Sequence, residues 1–119
     1  MNKICTDIEQ SQKLIELGID TSSADMVYCV ELYKEGWKYS NEPYPIDGTL
    51  EEDDIPAWSL SALLQLMPKV NGHYPDLCRG KETGLYYMWI EDEFDTQTYD
   101  DPIDAAIEMI EWLKENEKL

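Results

Sequence analysis

Carboxylates are the groups in this sequence whose number and spacing could do chemistry. Asp104, Glu108, Glu111 and Glu115 recur at intervals of three and four. That spacing places all four on one face of a helix. Glu51, Glu52, Asp53 and Asp54 are consecutive, and Glu91, Asp92 and Glu93 make a second run. Such groups can hold a hard cation, work as an acid–base pair in a concave site, or attract the Lys and Arg of another molecule. A calcium loop of the EF type begun at Glu91 would need glycine at its sixth position, where Thr96 stands. An acid–base pair needs surroundings that drive two pKa values apart, and loops or a solvated helix face do not supply them. Attraction of a basic partner asks only for charge density. The sequence meets that demand.

The density is unevenly laid out. Across 119 residues there are 26 Asp and Glu against 9 Lys and Arg, a formal net charge of -17. No Lys or Arg occurs between Lys38 and Lys69, and none between Lys81 and Lys114. Direct nucleic-acid binding is excluded on this ground, because phosphate contact needs clustered basic side chains. Anionic membrane surfaces are disfavoured for the same reason. Acidity also keeps proteins soluble, so solubility alone stays open as an explanation.

Nucleophilic and thiol chemistry finds less support. His73 is the single histidine, and Cys78 is the nearest cysteine to it. A Cys–His pair of this kind lacks any flanking signature and a third group to orient the base. Cys5, Cys29 and Cys78 with His73 make a Cys3His set by count, without the paired short spacing of zinc sites. Three cysteines at irregular spacing fit reduced thiols and a cytoplasmic setting. Glycine-rich phosphate loops are absent. No cofactor, metal or catalytic residue is expected, and the protein is read as non-enzymatic.

These side chains must be positioned by a fold, and 119 residues suffice for one domain, 1–119. An apolar content of 43%, four tryptophans and eight tyrosines supply a core, so the acidity does not imply disorder. The amino-terminal residues lack a signal-peptide pattern, and no window approaches the ~18 apolar residues of a membrane span. Thr6 and Glu9 form a capping-box pair that predicts a first helix over 7–17, closed by Gly18. Met26 to Tyr33 has strand composition, with Gly36 turning it into a return strand at 37–39. Residues 40–56 read as a long polar loop holding the Glu51–Asp54 run. Ser59 caps a helix to about Met67, stopped by Pro68.

Leu85 to Ile90 is apolar throughout and predicts a strand covered on both faces. The run at 91–93 turns it into a half-buried strand over 94–99. Asp101 and Pro102 open the last helix, with Ile103, Ala106, Ile107, Ile110 and Leu113 as its apolar stripe. Trp112 lies off that stripe beside Glu108 and Glu111. The expected class is α+β: a mainly antiparallel sheet from two hairpins, with three helices packed on it.

Four segments resemble a family of small, acidic, uncharacterised proteins of gut-anaerobe bacterial genomes and their phages or mobile elements. They are residues 9–18, 23–28, 55–64 and 101–113, of which Ile55-Pro-Ala-Trp-Ser-Leu60 is the most specific. The resemblance implies a bacterial or phage-derived cytosolic protein, and no activity or catalytic residue. Tyr86 to Leu113 is similar in local order to antitoxins of the HicB type, where antiparallel strands run into an Ala- and Glu-rich helix.

The expected function is therefore that of an acidic interaction protein with a basic protein partner, as in DNA mimics. An antitoxin or regulatory module is the alternative. The expected surface comprises Glu51, Glu52, Asp53, Asp54, Glu91, Asp92, Glu93, Asp104, Glu108, Glu111, Trp112 and Glu115. Self-association through the aromatic hairpins stays open.

Overall fold

Helix α1 (Ile8–Glu16) is the first element after the amino terminus, and its cap stands one residue later than the sequence suggests. The structure, a computed structural model, describes residues 3–119 apart from the Leu32 side chain. Asp7, not Thr6, is the N-cap: its carboxylate accepts from the Gln10 amide, while the Gln10 side chain accepts from the Asp7 amide. Thr6 has another task. Fully buried, its hydroxyl hydrogen-bonds Ser11 Oγ at 2.7 Å and accepts from the Trp58 amide at 3.1 Å.

The chain falls into two compact units, Cys5–Ala62 and Leu63–Leu119 with the first residues. In the first, the expected strand over 26–33 is two strands, β1 (Met26–Tyr28) and β2 (Val30–Tyr33), because each half has different partners. β2 pairs with β3 (Gly36–Tyr39) in a two-stranded hairpin, Val30 opposite Tyr39. Gly36 makes the turn at φ +114, a region that L side chains rarely enter. β1 lies between β4 (Tyr44–Pro45) and β5 (Ile55–Ala57), antiparallel to both. The predicted loop at 40–56 thus holds one strand and starts another. Pro45 and Pro56 sit in the two edge strands, where a missing N–H is tolerated.

Cys5, Tyr28, Ile55 and Ala57 cluster in this unit, with Ile8 and Met26 packed against them, and α1 contacts β5. Trp58 is fully buried and donates its indole N–H to Ser23 Oγ at 2.9 Å. Helix α2 (Leu60–Leu66) follows, with Ser59 Oγ accepting from the Ala62 amide. Asp25 in turn accepts from the Ser59 hydroxyl and amide.

In the second unit β6 (Asp76–Arg79), β7 (Tyr86–Ile90) and β8 (Phe94–Asp95) form an antiparallel sheet with β7 in the middle. β6 is absent from the sequence expectation, and β8 is two residues rather than six. The chain after Asp95 touches the sheet again through a Tyr86–Tyr99 bridge. Met88 and Ile90 are buried on β7, whereas Trp89 is half-buried, so the strand is not covered throughout as its composition suggests.

Helix α3 (Pro102–Glu115) packs against β7 and buries Ile103, Ala105, Ala106, Ile107, Met109, Ile110 and Leu113. Asp101 caps it, accepting from the Ile103 amide at 2.9 Å. The class is α+β, as the sequence suggests. Among the described residues its strands form three small antiparallel sheets instead of one sheet built from two hairpins. Among the described residues no helix is long and apolar enough to cross a membrane.

Candidate functional site

The acidic stripe of α3 is partly used up by the protein itself. Lys3 Nζ meets Asp104 Oδ1 at 2.7 Å, with both side chains about one-third exposed or less. Glu108 Oε1 accepts from the Tyr99 hydroxyl at 2.7 Å and from the Gln97 amide at 2.9 Å. Burial first, and that bond second, push the Tyr99 phenol up to about 12. Glu111 is half-buried, and only Glu115 of the four is exposed. A face expected to be solvated therefore fastens Lys3 and the 97–99 segment to the last helix. Trp112 is also engaged internally. Its ring stacks on Phe94 at 5.0 Å between centroids and 8° between planes.

The turn acids behave differently. Glu91, Asp92, Glu93 and Asp95 are exposed, and with Trp89 and Phe94 they line an open recess of ≈ 560 Å³. Asp92 stands at the tip with φ +61, a left-handed conformation that Asp tolerates better than most residues. Glu93 accepts from Asn71, and Glu91 lies 3.8 Å from His73 Nε2. The lining includes no Lys or Arg.

A second recess lies wholly within the other unit. Trp37 and Tyr39, two apart on β3, project from one face of the hairpin, together with Val30 opposite Tyr39. Glu51, Asp53 and Asp54 complete the walls of a groove of ≈ 590 Å³, which Lys38 also lines. Glu51, Glu52 and Asp53 are exposed, while Asp54 turns back to accept from the Glu51 amide at 2.8 Å. Lys38 is 3.8 Å from Glu35. Trp37 is 70% exposed, unusual for the largest apolar side chain.

Neither nucleophile candidate gathers a catalytic set. His73 is exposed with Glu91 as its ionic neighbour. Cys78 on β6 lies across from Tyr87, whose phenol is raised first by electrostatic interaction with Cys78 and then by a hydrogen bond to it. Among the described residues no three His, Cys, Asp or Glu converge as metal ligands would. Burial raises the Cys5 and Cys29 thiols, so neither is an activated thiolate.

Of the recess acids, Glu51, Asp53, Asp54, Glu91, Asp92 and Glu93 belong to the expected surface, whereas Asp95 and the rings beside them do not. Trp89 reads as core, Phe94 as the start of a half-buried strand, and Trp37 and Tyr39 as a return strand. Alternation on β3 is a usable signal for the second pair, since it places Trp37 and Tyr39 on one face of the ribbon. Protein-family models, curated proteins and solved structures were compared with this chain, and none of them matches it.

Proposed function

We propose that this is a non-enzymatic interaction protein whose acidic recesses bind a basic protein partner. The observation that carries the reading is the company the exposed carboxylates keep. In each unit they share a recess with aromatic rings, Trp37 and Tyr39 in one and Trp89 and Phe94 in the other. Solubility needs charge alone. An anionic rim over π faces suits Lys and Arg, which gain both ion pairing and cation–π attraction. The net charge of -17 would steer such a partner over a distance set by ionic strength.

The antitoxin-like alternative draws on one feature, the antiparallel strands of 76–95 running into a helix capped by Asp101 and Pro102. It predicts a dimer that neutralises a small basic protein encoded beside it. The principal reading is tested by retaining host proteins on the immobilised chain and raising the salt. Basic proteins should be held at low ionic strength, released as it rises, and held less by a variant with Asp53, Glu91 and Asp92 converted to amides. Retention that ignores both salt and these substitutions, or no retention, sinks the reading.

A further inference from the structure

We propose that the groove between the β2–β3 hairpin and the 51–54 turn is an arginine pocket for a segment of that basic partner. The inference rests on the reading above and assigns it a place and a preferred side chain.

The floor of the groove is apolar: Val30, Trp37 and Tyr39 share one face of the ribbon. Trp37 at 70% and Tyr39 at 40% exposure leave apolar ring surface in water, where burial against a ligand is favourable. One wall carries Glu51, Asp53 and Asp54, and the one basic residue of the lining, Lys38, sends its ammonium by strand alternation to the face opposite Trp37 and Tyr39. That ammonium lies 3.8 Å from Glu35, so its charge is partly answered within the hairpin.

A guanidinium suits this arrangement better than an ammonium. It is planar and weakly hydrated, stacks on an indole, and turns its N–H edge to a carboxylate at the same time. A lysine ammonium is compact and strongly hydrated, and gains less from the ring. A second copy of this chain is a poor occupant, since each carries a net charge of -17.

The test is calorimetric titration of the full chain with a short peptide bearing spaced arginines, and with the same peptide bearing lysines. Arginine should bind several-fold more tightly. Trp37→Ala should weaken the arginine peptide roughly fivefold or more, and Asp53→Asn about twofold to fivefold. Circular dichroism should find both variants folded, because both side chains are exposed. Glu91→Gln with Asp92→Asn should change this binding by less than about twofold, because neither residue lines this groove and single exposed charges contribute little.

Equal affinity for the two peptides, or indifference to Trp37→Ala, overturns the arginine pocket. If binding survives Trp37→Ala and collapses in the 91/92 variant, the pocket is wrong and the basic-partner reading stands. If neither peptide binds at low salt, both fall.

Discussion

Asp101 performs two structural tasks with its two carboxylate oxygens. One accepts from the Ile103 amide at the start of α3, and the other from the Lys3 amide. The residue is 4% exposed, so truncation removes a buried acceptor from both amides. Asp101→Ala should destabilise the protein by about 2 kcal/mol, at the upper end for an N-cap; urea unfolding measures this directly. Asp101→Asn should recover a good part of the loss, since an amide oxygen can still cap. Tyr99 gives a second residue-level expectation. Its phenol ionises at about 12 in the folded protein against an ordinary value of 10.0. The unfolded chain therefore loses this proton first. Stability from this group is fully present below pH 10 and declines as pH rises towards 12. Tyr99→Phe should remove that decline, visible as a flatter alkaline arm in a plot of unfolding free energy against pH.

At the scale of elements, the fold was legible where local chemistry decides it and obscure where partners decide it. The Asp101–Pro102 start of α3 and its apolar stripe depend on neighbours in sequence, and both appear as read. The first cap slipped from Thr6 to Asp7 because Ser11 and the Trp58 amide claim the Thr6 hydroxyl. Composition makes Met26 to Tyr33 one strand. Pairing splits it, sending β1 to β4 and β5, and β2 to β3. β6 went unseen because Asp-Leu-Cys-Arg has neither a strong alternation nor β-branched residues, and gains its strand form from β7. Two predictions belong here. Thr6→Val should cost about 1–3 kcal/mol, because Ser11 and the Trp58 amide each lose a buried partner. A double-mutant cycle on Phe94 and Trp112, each to Leu, should give a coupling of about 0.5–1.5 kcal/mol for the stack that joins β8 to α3. Additive losses would show that the rings only fill space.

Across the whole molecule, the sequence revealed the amount of charge and hid its division of labour. Acids at helical spacing looked like one interaction stripe, yet Asp104 and Glu108 serve as internal partners of Lys3, Tyr99 and Gln97. Spacing alone cannot separate these uses, because the partners come from distant parts of the sequence. The same limit hid the rings beside the remaining acids. With a net charge of -17, folding should be opposed by self-repulsion, and added monovalent salt should raise the midpoint of urea unfolding.

The central claim is that exposed acids and rings act together, and the indole N–H signals of the four tryptophans test it most directly. Trp58 is fully buried with its N–H bonded to Ser23, which makes it an internal control. Titrating nitrogen-labelled protein with an arginine-bearing peptide should move the Trp37 indole signal first and leave Trp58 in place. A titration in which acidic-segment amides shift while the Trp37 signal stays fixed would contradict the account.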